Sequence, residues 1–120
     1  HGFVIETMSY PHGQRNSDID ELLEPHFKTI RATRSSESAT NSWKLACEDG
    51  IMAVSTGIES MERGDIIDAL DDAKSNEKTI LFYSHELSNS SKWNIEEFKD
   101  FVAEAKKRNL PFLLMRDLAE

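Results

Sequence analysis

Hydrophobic residues fall along this chain in two patterns, compact runs and stripes with helical spacing. Compact runs rich in β-branched and aromatic residues predict strands. They cover Phe3–Ser9, Lys28–Thr33, Ile51–Val54, Thr79–Tyr83 and Phe112–Met115. Apolar residues three and four positions apart predict three helices between these strands. Their predicted caps are Ser17 with Asp20, then Asp65, then Asn94 with Glu97, and the first and third helices are predicted to end at Pro25 and Asn109.

The order of these elements, in which strands and helices alternate, is typical of an α/β protein with a parallel sheet or barrel. The run Thr79–Tyr83 is continuously apolar, as in strands that are covered on both faces. In such folds ligands bind at the carboxyl ends of the strands. This rule indicates two places, the turn Tyr10–Gly13 after the first strand and the segment Ser84–Glu86 after Thr79–Tyr83.

Composition and charge narrow the classes of function. The chain has 120 residues, which is one domain at most, and its net charge of −8 argues against binding of nucleic acid. Its basic run, Lys106–Arg108, is predicted as the last turn of a helix, where cations complement the helix dipole. No stretch approaches the roughly 20 apolar residues of a membrane span. Cys47 has no second cysteine for an internal disulfide, and a start at His1 without methionine or signal peptide indicates a processed chain or a fragment.

His85 is the strongest candidate for chemistry on position alone. It stands at the end of the strand Thr79–Tyr83, and imidazole exchanges protons near neutral pH. A histidine that merely caps the strand end is the alternative. The four histidines lack the short spacings of a metal site, so we expect no zinc site made by this chain alone. The acidic residues of the predicted helices are expected to be solvated: Asp18, Asp20, Glu21, Asp68, Asp71 and Asp72.

Several short motifs follow one another in a recognisable order. They are Met8–Gly13, then Asn16, Leu22 and Leu23, then Ile30–Thr33, and finally Ile80–His85, an apolar strand that ends in histidine. In order and separation they resemble the polysaccharide deacetylase family (carbohydrate esterase family 4, the NodB homology domain). The segment from Asn94 to Leu118 is similar to the family's closing helix and last strand. The resemblance covers nearly the whole chain, as the carboxyl-terminal half of such a domain.

The resemblance implies part of a distorted (β/α) barrel with parallel strands, in an enzyme that removes N- or O-linked acetyl groups from poly- or oligosaccharides. Such enzymes use a divalent metal, usually zinc, held by an aspartate of a first motif and two histidines of a second. Neither motif occurs in this sequence. We therefore expect the metal in the full domain and none bound by this chain alone. The family also implies secretion, or residence in the periplasm or the cell envelope.

The resemblance also assigns roles to individual residues. It makes His85 the general acid that protonates the departing sugar amine or hydroxyl. His12 stands where the family has a tyrosine whose backbone N–H stabilises the oxyanion. Ser9 replaces an arginine that many members carry, and Tyr83 matches a position that lines the acetyl pocket. With Tyr10, these last two are the expected substrate-binding residues.

Three matters stay open at this point. The family motif whose aspartate orients the histidine has no clear counterpart in this sequence, and Asp49 and Glu59 are candidates for that carboxylate. A degenerate barrel that binds glycan without cleaving it would explain the departures from the family pattern at Ser9 and His12. An unrelated α/β interaction domain would place His12 and His85 far apart. Because an incomplete barrel has two free sheet edges and an open inner face, we also expect self-association or pairing with a missing amino-terminal half.

Overall fold

The computed structural model describes residues 2–33, 47–49, 52–88 and 93–119. Within these ranges the strands are β1 (Thr7–Ser9), β2 (Thr29–Thr33), β3 (Cys47–Asp49), β4 (Met52–Gly57) and β5 (Phe82–Tyr83). The α-helices are α1 (Ser17–Leu23), α2 (Arg63–Ser75) and α3 (Ile95–Lys107). Short 3-10 turns follow β1, α1 and β4, at Pro11–Gly13, Glu24–His26 and Ile58–Ser60, and a fourth covers Met115–Ala119.

Strands β1, β2, β4 and β5 lie side by side in that order and run parallel. The register places Ser9 opposite Arg31 and Gly57 opposite Tyr83. β3 forms an antiparallel pair with the start of β4. The four parallel strands make a curled sheet that is consistent with part of a barrel. The predicted α/β class with parallel strands is therefore confirmed.

One face of this sheet packs against α1. Ile30 and Ala32 of β2 are buried and form a small core with Tyr10, and Leu23 of α1 packs against it. Successive residues of a strand point to opposite faces, so these alternate positions mark the covered face of β2. The apolar stripe of α1 is short, and this core is correspondingly small.

A second core lies where α2 and α3 meet β5. Ile66 and Leu70 of α2 are buried together with Ala105 of α3. Phe82 of β5 meets Phe101 of α3 edge to face, with 5.7 Å between the ring centroids. Parts of the predicted apolar stripes of both helices therefore supply the core at this side of the sheet, whereas Phe98 of the predicted α3 stripe is 40% exposed. None of the helices in the described ranges is long and apolar enough to cross a bilayer.

The opposite face of the sheet is polar. It carries the side chains of β2 that alternate with Ile30 and Ala32, together with the neighbouring residues of β1 and β4. These residues are Thr29, Arg31, Thr33, Ser9 and Ser55. At the amino-terminal end of the strands this face is covered, because the Thr29 hydroxyl donates to the main-chain oxygen of Met115 at 2.9 Å. Thr29 is fully buried. The part of the face near the carboxyl ends of the strands, called the open face below, holds the residues with possible chemistry.

The predicted strands at the two ends of the chain differ most from the structure. β1 contains only Thr7–Ser9, and the preceding Phe3, Val4 and Ile5 are 88%, 85% and 70% exposed. The run Phe112–Met115 is not a strand: its first three residues belong to no helix or strand, and Met115 begins the last 3-10 turn. A strand persists through hydrogen bonds to a neighbour. None of the described strands pairs with either segment. Their apolar composition was therefore not enough to make them strands.

The inner strands occur where they were predicted, with different bounds. Of the predicted segment Ile51–Val54, Ile51 lies outside the described residues, and the rest belongs to a longer strand, β4. The run Thr79–Tyr83 is a strand only at its last two residues. β5 is short because β3 and β5 pair with the same edge of β4. β3 occupies that edge at Met52 and Ala53, which leaves Thr56 and Gly57 to pair with β5.

Two of the three predicted helix starts are shifted. Asn16 rather than Ser17 caps α1, since its Oδ1 accepts from the Ile19 N–H at 2.9 Å. α2 begins at Arg63, two residues before the predicted cap Asp65. The start of α3 is confirmed, because Asn94 Oδ1 accepts from the first free N–H groups of that helix, and the predicted left-handed stop at Asn109 has φ +55°.

Asp20 is not solvated as predicted but is the buried residue of α1. It is 7% exposed and accepts from the Tyr10 hydroxyl at 2.5 Å and from the Arg15 guanidinium at 2.5 and 3.0 Å. The hydrogen bond from Arg15 lowers the pKa of Asp20, and burial raises the pKa of Tyr10 to about 12. Asp20 thus connects the turn after β1 to α1.

Replacement of Asp20 by asparagine is expected to lower the free energy of unfolding by about 1–3 kcal/mol, because the buried amide no longer gives Tyr10 and Arg15 a charged acceptor. Urea denaturation followed by circular dichroism measures the change. Asp18→Asn, at an exposed position of the same helix, is the matched control and should change stability by no more than about 0.5 kcal/mol. Equal losses in the two variants would contradict the buried role of Asp20.

The stabilisation by Asp20 should also depend on pH. Arg15 holds the pKa of Asp20 below its ordinary value of 3.8 in the folded state. A carboxylate with a lowered folded pKa stabilises the protein above its unfolded pKa and loses that effect as the pH falls through the folded pKa. The difference in unfolding free energy between the protein and its Asp20→Asn variant is therefore expected to be full at neutral pH and to shrink below about pH 4. Urea titrations at both pH values measure it, and a constant difference would refute the assignment.

Candidate functional site

The carboxyl ends of the four parallel strands meet at one edge of the sheet. Ser9 ends β1, Thr33 ends β2, Gly57 ends β4 and Tyr83 ends β5. The side chains that follow each strand therefore emerge on the same side of the molecule, as expected for a parallel α/β fold. Both segments predicted as sites, the turn at His12 and the segment after Tyr83, lie at this edge.

Arg31 lies at the centre of the open face. Its Nε donates to the Ser9 hydroxyl at 3.0 Å and one terminal nitrogen donates to the Ser55 hydroxyl at 3.1 Å. The guanidinium carbon also lies 5.1 Å from the centre of the Tyr83 ring, which is within the range of a cation–π contact. One side chain of β2 thus touches residues of β1, β4 and β5.

Glu59 and His85 form a hydrogen-bonded pair at the end of the sheet. Glu59 lies in the 3-10 turn after β4, and His85 comes two residues after β5. Glu59 Oε2 is 2.7 Å from His85 Nδ1, while Oε1 accepts from the His85 main-chain N–H at 2.6 Å. The hydrogen bond to the His85 side chain lowers the pKa of Glu59. Of the two carboxylates considered from the sequence, Glu59 is the one bound to the ring.

The imidazole of His85 is open to a ligand. Its side chain is 77% exposed, whereas that of Glu59 is 24% exposed. The carboxylate occupies Nδ1, and no described residue forms a hydrogen bond with Nε2. The carboxylate is therefore on the protein side of the ring, and the second ring nitrogen faces outward.

Tyr83 connects the Arg31 contacts to the Glu59–His85 pair. Its ring meets the His85 ring edge to face with centroids 5.6 Å apart, on the strand end next to Arg31. Its hydroxyl lies against Gly57, where an added Cβ atom would stand 3.0 Å from the oxygen. A residue without a side chain at the end of β4 is what allows this placement of the ring.

The turn after β1 has an unusual backbone. His12 and Gly13 both have positive φ, at +55° and +68°. A Cβ atom on Gly13 would clash with Oγ1 of Thr33, so the turn packs directly on the end of β2. Left-handed backbone in a non-glycine residue is uncommon and is often found at functional sites. His12 itself is exposed at the same edge as His85.

The structure therefore separates the residues predicted as a site. Ser9 and Tyr83 lie on the open face in contact with Arg31, and His85 follows beside Tyr83. His12 is at the same edge of the sheet, and no described contact joins it to His85. Tyr10 lies elsewhere: it is 4% exposed in the core under α1, its hydroxyl is bound to Asp20, and its described contacts are structural.

Arg31 and Ser55 were not among the residues predicted for the site. The sequence did contain a pattern that indicates an exposed position for Arg31. This residue is flanked by the apolar Ile30 and Ala32 in a strand of β-branched residues. Such alternation predicts a strand with one polar face. Ser55 gave no comparable signal, since its role depends on the register between β2 and β4.

The described residues do not fit a resident metal ion. No three His, Cys, Asp or Glu side chains converge within the ranges that the structure describes. The two ligand motifs that the resemblance implies are also missing from the sequence.

Comparison of the chain with protein-family models, with curated proteins and with solved structures found no match in any of the three. Membership of the polysaccharide deacetylase family thus stays a prediction from the sequence motifs.

Replacement of Gly13 by alanine is expected to lower the free energy of unfolding by at least about 1–2 kcal/mol, because a left-handed conformation disfavours a side chain and the Cβ meets Thr33. Gly64→Ala is the matched control, since Gly64 lies in α2 with no atom within 4 Å of an added Cβ. That variant should be neutral or more stable. Thermal denaturation of both variants measures the difference, and equal stabilities would contradict the described packing of the turn.

Proposed function

We propose that this chain supplies the general-acid side of a site that hydrolyses acetyl groups from a carbohydrate. The observation that carries the proposal is the pairing of the exposed His85 ring with the Glu59 carboxylate at the carboxyl ends of the parallel strands. A histidine oriented by a carboxylate through one ring nitrogen is a common arrangement for proton transfer by the other.

The pair determines which atom carries the proton. With Glu59 accepting from Nδ1–H, Nε2 is the ring nitrogen left to exchange a proton with a ligand. Water, the second substrate of the hydrolysis, first adds to the acetyl carbonyl. In the imidazolium form, Nε2–H then donates its proton to the sugar nitrogen or oxygen as this adduct collapses. The bond from that atom to the acetyl carbon breaks, its electron pair stays on the leaving atom, and the carbonyl re-forms in the released acetate. The ring is then neutral, and Nδ1–H remains bound to Glu59. The His85 main-chain N–H donates to the same carboxylate, and this second hydrogen bond holds Glu59 in position beside the ring.

The chemistry of the open face supports a carbohydrate as the ligand. The exposed Ser9 hydroxyl and the ring of Tyr83 lie beside Arg31. Sugars present many hydroxyl groups and apolar ring faces, for which polar side chains beside an aromatic ring are suitable partners. The motif order of the sequence, from the turn after β1 to His85, is the second support for this choice.

A site that binds glycan without cleaving it is the second candidate. It is favoured by Ser9 and His12, which stand at positions where the family pattern has other residues. In that case Glu59 would serve to hold His85 as a ligand-binding side chain. The two candidates differ in whether the protein releases acetate.

In the full-length protein, His85→Ala is expected to lower the turnover number for acetate release from acetylated chitooligosaccharide by roughly 10²–10⁴-fold, since a general acid contributes about that much. Glu59→Gln should lower it by at least about 10-fold, because the ring loses the carboxylate that orients it. Metal content is measured in parallel and should not change. His26→Ala, an exposed histidine in the turn after α1, is the control.

Near-normal turnover of the His85→Ala variant would remove His85 from the mechanism. The full-length protein with its metal is also assayed with acetylated glycans and with an aryl acetate. If it releases acetate from none of them, the enzymatic function is contradicted and the glycan-binding alternative is favoured.

A further inference from the structure

The charge of Arg31 has no carboxylate partner among the described residues. The other four described arginines all pair with acids: Arg15 with Asp20, Arg63 with Asp100, Arg108 with Asp71 and Glu104, and Arg116 with Glu6. The described contacts of Arg31 are two serine hydroxyls and an aromatic ring. In a chain of net charge −8, the half-buried guanidinium of Arg31 differs from the other four in that its described partners are all neutral. Its charge is therefore available to pair with an external anion.

Arg31 has hydrogen-bond donors to spare. A guanidinium carries five N–H groups, of which the described contacts to Ser9 and Ser55 use two. Three N–H groups are left for a ligand, in the planar fork that matches a carboxylate with two parallel hydrogen bonds.

The surroundings hold this fork in one place. Ser55 is fully buried, and its hydroxyl donates to the Ala32 main-chain oxygen at 2.8 Å, which orients its lone pairs toward Arg31. Ser9 fixes the Nε side, and the Tyr83 ring supports the guanidinium 5.1 Å from its centroid. A donor group that is already positioned loses little side-chain entropy when a ligand binds.

We propose that Arg31 is an anion-recognition site that binds a carboxylate group of the ligand. Tyr83 touches both Arg31 and His85, so the bound carboxylate would lie next to the proton-transferring ring. The choice of an acidic sugar, such as a uronic acid, as the carrier of this carboxylate rests on the proposed function. The anion site itself rests on the contacts of Arg31.

The test is calorimetric titration of the full-length protein with D-glucuronate, D-glucose and inorganic phosphate. Glucuronate is expected to bind and glucose to bind at least 10-fold more weakly. Arg31→Gln should weaken glucuronate binding at least 10-fold, and Arg31→Lys should restore only part of it, because lysine keeps the charge but not the fork. Arg63→Gln, an exposed arginine on α2, is the matched control and should bind as the unaltered protein does.

A second readout guards against variants that fail to fold. In the unaltered protein, glucuronate is expected to shift the NMR signal of the Arg31 Nε–H, and glucose should not. Failure of glucuronate and phosphate alike to bind or to shift that signal would overturn the proposal, as would an equal loss in Arg31→Gln and Arg63→Gln. Phosphate binding as tight as glucuronate binding would support the anion site and overturn the acidic sugar.

The titrations are repeated in the His85→Ala variant, where binding by Arg31 should persist. In the unaltered full-length protein, glucuronate binding without any acetate release would overturn the deacetylase function and support the anion site. Acetate release from neutral glycans with no glucuronate binding would do the reverse.

Discussion

In β2 every second side chain enters the helix-covered core, and those between them face the open side of the sheet. Ile30 and Ala32 are buried against α1, while Arg31 points the other way and reaches the neighbouring strands. This strict alternation follows from strand geometry. A shift of one residue in the pairing of β2 would put Arg31 into the core and Ile30 on the open face. The core and the candidate site therefore depend on the same register.

The parallel arrangement then decides which residues meet. Glu59 and His85 are 26 positions apart, yet they pair because β4 and β5 are neighbours and both segments leave the sheet at the same edge. The Ser60 hydroxyl donates to the Gly57 main-chain oxygen at 2.8 Å and closes the turn that presents Glu59. Gly57 also leaves room for the Tyr83 hydroxyl. Short local interactions of this kind give the pair its geometry.

Apolar surface remains outside the two cores. Phe112, Leu113 and Leu114 are 53–61% exposed beside an apolar cavity of about 350 Å³ between α3 and the carboxyl-terminal segment, and Phe3–Ile5 is exposed at the other end of the chain. Contiguous apolar surface is typical of places that contact another surface. Association with a second copy or with an amino-terminal half stays a prediction from the sequence.

The sequence by itself determined what depends on neighbouring residues: the α/β alternation, the cap at Asn94, the left-handed stop at Asn109, and His85 as the residue at a strand end. These features rest on short-range patterns, which are visible without the fold. The tertiary structure decided the rest. The apolar runs form strands only where a neighbouring strand pairs with them. Asp20 and Tyr10 are buried by their contacts with each other and with the core. The tertiary structure also placed Arg31 among Ser9, Ser55 and Tyr83, and bound Glu59 to His85. Such contacts join residues far apart in the chain, and they follow from strand order and register, which no local pattern contains.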